Sequence, residues 1–207
     1  MKDKKKPIII FTGPSGVGKG TIERYLFDFE ELNLSLSCSA TTRAPRQGEL
    51  NGIHYHFISV DEFRNKIKSR KLIEFSYHFN NYYGTLYSEL DKIHKKNKVP
   101  MLEIETRGAK QIIEKFSQNN DDQEKYNLIT IFLGPPSIDD LRKRIINRGT
   151  ESPEVMKTRL KKAEEEIAES AIFKYKIIND IPERAANEIR EILHKELGID
   201  ETLPKVN

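Results

Sequence analysis

The stretch from Gly13 to Thr21, GPSGVGKGT, follows directly on the apolar run PIIIF and has the spacing G-x-x-x-x-G-K. Its three glycines let successive backbone N–H groups curve around an anion, and a helix that follows adds its positive end. Lys19 supplies a point charge for phosphate oxygens. The order of buried strand, glycine loop and helix therefore predicts a nucleotide-binding phosphate loop.

One position of the loop departs from the usual pattern. Gly20 stands where a serine or threonine hydroxyl normally reaches Mg²⁺. The pair Gly20-Thr21 resembles the GKGT of adenylate-type kinases, in which water holds much of the metal's coordination shell. We therefore expect a nucleotide site with an unusual metal shell.

Bulk properties limit the function classes. The 207 residues suit one α/β domain or a core with insertions, and a net charge of +3 favours a small anionic substrate over nucleic acid. One cysteine, Cys38, excludes an internal disulfide, and PIIIF is too short for a signal sequence or a membrane span. We expect a cytoplasmic protein that binds neither nucleic acid nor membranes.

The pattern along the chain predicts an α/β fold, with a parallel sheet core flanked by helices and a smaller β-rich insertion. Ser137 and Asp140 predict a helix start, and Gly198 a helix end. The polar segment QNNDDQEKYN (117–126) lacks periodicity and is interpreted as a surface loop or insertion. The predicted buried strands are PIIIF, VPMLEIE (99–105), LITIFLGPP (128–136) and YKIIND (175–180).

Residues 39–85 contain groups that suit a guanine nucleotide. Arg43 and Arg46 lie three apart, so two guanidinium groups can clamp one phosphate. Guanine presents N1–H and a 2-amino group as adjacent donors, and a carboxylate accepts from both. Glu74 is the candidate carboxylate. The candidate hydroxyl donors are Tyr55 and Tyr83 toward the phosphate, and Ser39 and Thr85 toward the base.

Long strings of this sequence resemble the guanylate kinase family from about Pro7 to Leu197: TTRAPRQGELNGIHYHF, LIEF, NNYYG, GPPSIDDLRKRIINRGTE and IINDI. The resemblance implies ATP-dependent phosphorylation of GMP, with dGMP as a further acceptor, in a monomer. It also implies one domain over 4–197 followed by a tail, 198–207. The implied regions are a core (7–36, 98–136 and 173–197), a GMP-binding region (37–97) and a lid (137–172).

The resemblance assigns roles on the GMP side. Arg43, Arg46, Tyr55 and Tyr83 correspond to ligands of the GMP phosphate, while Ser39, Glu74 and Thr85 correspond to readers of guanine. The family commonly has serine at the position of Thr85, and either residue offers a hydroxyl. Glu103 and Glu105 stand where the family typically has aspartates, so each carboxylate lies about an ångström or more farther out. By resemblance, Glu103 lies near Mg²⁺ and the phosphates, and Glu105 near the guanine 2-amino group.

On the ATP side, the resemblance assigns arginines of the lid to the phosphates. Arg144 and Arg148 lie four apart on one predicted helix, and Arg159 on the next helix bridges both substrates. Lys19, Arg43 and these three arginines form the implied catalytic set, with Asn179 as the adenine contact. Mg²⁺ is expected with ATP near Thr21 and Glu103, through water. The implied phosphate-loop ligands are Gly13, Pro14, Ser15, Gly16, Val17, Gly18, Lys19, Gly20 and Thr21.

Two rival functions stay open at this point. Another nucleoside monophosphate kinase, such as an adenylate kinase, would share GKGT, although Glu74 and TTRAPRQGELNG argue against it. An interaction module with the same fold but no catalysis usually lacks the loop lysine and the lid arginines, which this chain retains. A metal site at His54 and His56 is disfavoured, because no cysteine or third spaced histidine accompanies them.

Overall fold

The structure, a computed structural model, describes residues 5–78, 80–147 and 153–199. The chain divides into two compact units. The first unit draws on Met1–Ile8 and Ser35–Asn127, and the second on Ile9–Leu34 and Leu128–Asn207. Among the described residues, no helix combines the length and the apolar character that crossing a membrane requires.

The strands form two sheets. The strand order is β2-β7-β1-β8-β9 in the five-stranded sheet and β4-β3-β6-β5 in the four-stranded sheet. β8 and β9 pair in parallel, and the helices follow the strands along the chain, which confirms the predicted α/β class. The strands are β1 (Lys6–Thr12), β2 (Leu34–Leu36), β3 (Ala40–Thr41), β4 (His56–Phe57), β5 (Leu72–His78), β6 (Asn81–Leu86), β7 (Val99–Glu103), β8 (Tyr126–Gly134) and β9 (Tyr175–Ile178).

The described helices begin and end close to the predicted signals. Ser137 caps α6, since its Oγ accepts from the backbone N–H of Asp140 at 3.0 Å, and Gly198 ends α8 with a left-handed φ of 67°. Two short 3₁₀ helices span Glu30–Leu32 and Glu169–Ile172. The α-helices are α1 (Lys19–Asp28), α2 (Val60–Lys68), α3 (Tyr87–His94), α4 (Thr106–Gln118), α5 (Asn120–Lys125), α6 (Ile138–Asn147), α7 (Pro153–Ala168) and α8 (Pro182–Leu197).

Strand β1 leads into the phosphate loop and is buried on both faces. Ile8, Ile10 and Phe11 are fully buried and Ile9 is 1% exposed. A strand whose successive side chains are all buried is typical of the interior of a parallel sheet. The prediction from PIIIF is therefore confirmed.

Two segments differ from the sequence-based predictions. The polar segment 117–126 is not a loop: α5 occupies most of it, and the Asn119 side chain caps this helix by accepting from the backbone N–H of Asp121 at 3.0 Å. Capping and the acidic first turn stabilise a short helix that has no apolar periodicity. The predicted strand 99–105 ends earlier, because β7 stops at Glu103 and Glu105 is already the N-cap residue of α4.

The four-stranded sheet belongs to the first unit and carries two of the predicted guanine readers, Glu74 and Thr85. β5 and β6 are antiparallel, with Glu74 opposite Thr85 and Ser76 opposite Tyr83. A small apolar cluster of Ala40, Phe63, Leu72 and Leu86 packs beside these strands. Phe63, on α2, is fully buried in this cluster.

Candidate functional site

In the second unit, the phosphate loop has the backbone geometry of an anion cradle. Gly16 and Gly18 adopt φ angles of 86° and 102°, which side chains rarely tolerate. Gly18 is the N-cap of α1, so the loop ends at the positive end of this helix. Lys19 is the first residue of α1, and its ammonium donates to the Gly13 carbonyl at 2.8 Å, across the loop.

Arg144 and Asn179 hold the loop from one side. The Arg144 guanidinium donates to the carbonyl of Val17 at 3.0 Å and to the backbone carbonyl of Asn179 at 2.8 Å. The Asn179 side-chain amide also donates to the Val17 carbonyl, at 2.7 Å, and the residue is 2% exposed. Arg144, the predicted phosphate ligand, and Asn179, the predicted adenine contact, thus donate to the same carbonyl group of the loop.

The other two lid arginines differ in how they are placed. Arg159, on α7, lies with a guanidinium nitrogen 3.4 Å from the hydroxyl of Ser15 in the phosphate loop. Arg148 lies outside the described residues. The structure therefore brings Arg144 and Arg159 to the phosphate loop, while the predicted bridging of both substrates by Arg159 stays a prediction.

In the first unit, Glu74 and Thr85 form a buried polar pair. Glu74 is 6% exposed and Thr85 is fully buried, and the threonine hydroxyl donates to Glu74 Oε1 at 2.8 Å. Burial raises the pKa of the Glu74 carboxyl to about 7, and the charge of Glu105 adds to the rise, whereas hydrogen bonds from Thr85 oppose it. A carboxylate in this environment is costly without further donors.

The Arg43 guanidinium is fixed by Glu49, to which the sequence analysis gave no role. Two of its nitrogens donate to the two Glu49 carboxylate oxygens, each at 2.9 Å, and Glu49 Oε2 also accepts from the backbone N–H of Arg46 at 2.7 Å. These bonds hold the pKa of the Glu49 carboxyl down at about 2. Glu49 therefore organises the loop that carries both predicted phosphate-binding arginines. The signal that the sequence offered for this ion pair was the position of Glu49, six residues after Arg43 in TTRAPRQGE.

The predicted tyrosines lie beside this loop. The Arg43 guanidinium carbon is 5.5 Å from the centre of the Tyr55 ring, within the range of a cation–π interaction. The Tyr55 and Tyr83 rings meet edge-on with their centres 6.1 Å apart, and His78 stacks on Tyr83 at 4.4 Å. Burial raises the pKa of the Tyr55 hydroxyl, which keeps it a hydrogen-bond donor at neutral pH. The structure thus brings Arg43, Tyr55 and Tyr83 together.

The remaining candidates on the GMP side are more accessible. Arg46, Glu103 and Glu105 are exposed, and Ser39 is half-buried. Glu103 is the last residue of β7, whereas Glu105 lies beyond the strand as the N-cap residue of α4.

The excluded candidates have structural partners. His54 accepts from the backbone N–H of Leu50 at 3.0 Å, and His56 lies 3.3 Å from the Glu89 carboxylate. Across the described part of the chain, no three metal-ligating side chains of His, Cys, Asp or Glu cluster together. Cys38 is 7% exposed, and burial raises the pKa of its thiol, so it is unsuited to act as a nucleophile.

The fold and the loop define the class: a P-loop nucleotide-binding protein with a parallel sheet core. The family model described as guanylate kinase matches residues 4–196. The chain belongs to the guanylate kinase family.

Individual relatives extend over nearly the whole chain. A guanylate kinase of Mycoplasmopsis synoviae (strain 53) is 64% identical over 200 residues, covering 97% of this chain and 100% of that protein. One from Mycoplasmopsis pulmonis (strain UAB CTIP) is 50% identical and covers 92% and 95%. The crystal structure of guanylate kinase from Anaplasma phagocytophilum superposes with a TM-score of 0.66 at 29% identity, covering 93% of this chain and 86% of that chain.

Proposed function

We propose that this protein is an active guanylate kinase, which transfers the γ-phosphoryl group of ATP to GMP and releases ADP and GDP. The observation that carries the proposal is the buried pair of Glu74 and Thr85, with the hydroxyl 2.8 Å from the carboxylate. A carboxylate accepts from N1–H and the 2-amino group of guanine, which adenine does not present. We extend the proposal to dGMP as a further acceptor.

ATP is assigned to the second unit. The loop N–H groups and Lys19 bind its phosphates, Arg144 and Arg159 neutralise them from the lid, and Asn179 contacts the adenine. Arg148 is assigned to the same phosphates on the family's pattern alone. The left-handed glycines and the ammonium at the start of α1 support this assignment.

GMP is assigned to the first unit. Arg43 and Arg46 bind its phosphate together with the hydroxyls of Tyr55 and Tyr83, and the Arg43–Glu49 pair supports this role because it fixes the guanidinium in one place. The guanine readers are Ser39, Glu74 and Thr85, with Glu105 near the 2-amino group.

The reaction needs charge neutralisation rather than a strong base. An oxygen of the GMP phosphate is already anionic at neutral pH; it forms the new bond to the γ-phosphorus while the bond between this phosphorus and the β–γ bridging oxygen breaks. Lys19 and the arginines stabilise the charge on the transferred group, and the two nucleotide sites supply orientation.

Mg²⁺ is the proposed metal, bound with ATP. The Thr21 hydroxyl and the exposed Glu103 carboxylate offer oxygen acceptors for the water molecules that Mg²⁺ retains. When bound, the ion neutralises charge on the phosphate oxygens. The cytoplasm is the compartment we propose, since a lone cysteine suits a reducing environment, and a monomer is the proposed form.

A coupled assay of ADP release tests the proposal, with GMP, dGMP, AMP, UMP and CMP as acceptors. We expect turnover with GMP and none above background with AMP, UMP or CMP. Preferred use of AMP would indicate another monophosphate kinase, and no turnover with any acceptor would indicate an interaction module. The Lys19→Ala variant, purified in parallel, controls for contaminating kinases.

A further inference from the structure

Gly108 occupies a position at which glycine costs stability. It is the third residue of α4, is buried, and follows Thr106 and Arg107 in ordinary helical backbone. Glycine in a helix is less favourable than alanine because it has more backbone freedom to lose. Helix geometry therefore gives no reason for glycine here.

Space does give a reason. A Cβ built at Gly108 would lie 2.7 Å from Glu74 Oε2, 3.3 Å from Glu74 Cδ and 3.7 Å from Glu74 Cγ, and these are its three nearest neighbours. A separation of 2.7 Å is well inside van der Waals contact. The Glu74 carboxylate therefore occupies space that a side chain at position 108 would need.

The carboxylate is confined from the other side as well. Thr85 donates to Oε1 at 2.8 Å, opposite Glu74 in the β5–β6 pair, and Glu74 is 6% exposed. The atom that a new Cβ would meet is the end of a flexible side chain rather than backbone. A methyl group at position 108 therefore displaces the carboxylate and leaves the helix in place.

We propose that Gly108 is a positioning residue for guanine recognition: it reserves the place of Glu74 Oε2 beside the base. This inference rests on the proposed role of Glu74 as the guanine reader. With Oε1 held by Thr85, displacement of Oε2 disturbs the acceptor pair that N1–H and the 2-amino group require. Gly108 acts only through Glu74 and touches neither nucleotide.

The test is Gly108→Ala, assayed by steady-state kinetics with each substrate varied in turn. We expect the KM for GMP to rise about ten- to a hundredfold, the range for one hydrogen bond to a charged group, while the KM for ATP stays within about twofold. Preference for GMP over IMP, which lacks the 2-amino group, should fall as well. Arg107→Ala, an exposed neighbour on the same helix, is the control and should change neither constant.

A double-mutant cycle separates this inference from the proposed function. Glu74→Ala alone should raise the KM for GMP, and adding Gly108→Ala should then have no further effect, because the carboxylate is gone. If Glu74→Ala leaves the KM for GMP unchanged, the proposed role of Glu74 fails and the inference fails with it. Two results would overturn the inference alone. In the first, Glu74→Ala raises the KM for GMP but Gly108→Ala does not. In the second, Gly108→Ala raises the KM for GMP by the same factor whether or not Glu74 has been replaced by alanine.

Melting temperatures test the inference if Gly108→Ala proves unstable. Glu74→Asp is one methylene shorter and draws the carboxylate back from α4, so the double variant Glu74→Asp/Gly108→Ala should melt as Glu74→Asp does. Its KM for GMP should equal that of Glu74→Asp. A melting temperature that drops as far in the double variant as in Gly108→Ala would show that position 108 matters for helix packing and would overturn the inference.

Discussion

Arg43 and Glu49 form a bidentate ion pair, with two nitrogen–oxygen distances of 2.9 Å, and Glu49 also accepts the backbone N–H of Arg46 at 2.7 Å. One carboxylate thus fixes the side chain of the first arginine and the backbone of the second. Such a pair presents its remaining N–H groups to a phosphate in one orientation, so less side-chain entropy is lost on binding.

Glu49→Gln should weaken GMP binding because the amide cannot accept both guanidinium bonds. We expect the KM for GMP to rise about tenfold and the KM for ATP to stay unchanged, measured by steady-state kinetics. Glu62→Gln is the matched control, since the side chain of Glu62 is 50% exposed and forms an ion pair with Lys66 at 3.1 Å on α2. Equal effects of the two variants would contradict a specific role for Glu49.

The pH range of the Glu49 pair follows from its pKa. The folded value of about 2 lies below the ordinary 4.5, so the pair's contribution is complete above about pH 4.5 and is lost as the pH falls toward 2. Between pH 6 and 9 the kinetic effect of Glu49→Gln should therefore be constant. A strong pH dependence in that window would show that the bidentate pair does not control the Arg43 orientation.

Glu74 should make GMP binding depend on pH near neutrality. Its pKa of about 7 means that the unliganded carboxyl is protonated below pH 7, and only the ionised form accepts two guanine donors. The KM for GMP should rise as the pH falls from 8 to 6. In Glu74→Gln the KM for GMP should be higher at pH 8, by the equivalent of about 1–3 kcal/mol, and the part of the pH dependence that Glu74 causes should disappear. The GMP phosphate itself titrates near pH 6 in both proteins, so the difference between the two profiles isolates Glu74.

The same pKa affects stability with a definite sign. A carboxyl whose folded pKa is raised above 4.5 destabilises the fold fully above about pH 7, by about 3 kcal/mol at most, and the penalty fades as the pH falls to 4.5. Relative to Glu74→Gln, the wild type should gain unfolding free energy between pH 7.5 and 5 in denaturant titrations. A parallel course of the two curves would mean that Glu74 titrates normally.

Lys19→Ala should lower kcat by at least about a hundredfold, because its charge is needed mainly in the transition state. Within the described part of the chain the ammonium makes one hydrogen bond, to the Gly13 carbonyl at 2.8 Å, so the melting temperature should change by only a few degrees. Lys66→Ala, which removes a lysine from the surface of α2, should retain full activity. Near-normal turnover of folded Lys19→Ala would refute the assignment.

Arg144→Lys should impair ATP use although it keeps the charge. A planar guanidinium reaches the carbonyls of Val17 and Asn179 together, at 3.0 and 2.8 Å, whereas an ammonium on a flexible stem does not hold both. We expect kcat/KM for ATP to fall at least about tenfold. Arg142→Lys on the same helix, 53% exposed, should be within about twofold of wild type. Similar values of kcat/KM for ATP in the two variants would show that the Arg144 guanidinium has no specific role in ATP binding.

The sequence predicted the fold class, because strand, glycine-loop and helix signals are local patterns, whereas the candidate site residues came from the resemblance to the guanylate kinase family. PIIIF, the glycine spacing and the helix signals act over a few residues. The roles of Glu49 and Gly108 depend on contacts across 6 and 34 positions, and the sequence does not show which side chains meet. The helix α5 was missed because one asparagine cap stabilises it without any apolar stripe.

Two explanations can account for glycine at position 20 of the phosphate loop: close packing that leaves no room for a side chain, or a metal shell that uses no hydroxyl there. Close packing would require neighbours, yet a Cβ built at Gly20 meets no described atom within 4 Å. Gly20 is the second residue of α1, in ordinary helical backbone, so glycine there costs up to about 1 kcal/mol. Space for a side chain is therefore present where the usual phosphate loop has a hydroxyl.

Gly20→Ser should stay active, melt at a higher temperature and need less Mg²⁺ for the half-maximal rate. The serine restores a hydroxyl at the usual metal-facing position, and Mg²⁺ binds more readily where a preformed oxygen ligand replaces one of its waters. The rate is titrated with Mg²⁺ at saturating ATP and GMP, and calorimetry of ATP binding with and without Mg²⁺ gives a readout that does not depend on turnover. Gly20→Ala is the matched control: it shares the helix gain but lacks the hydroxyl, so it should share the higher melting temperature and keep the Mg²⁺ requirement of the wild type. A serine variant that needs as much metal as the alanine variant, or more, would show that Mg²⁺ is held without any contribution from position 20.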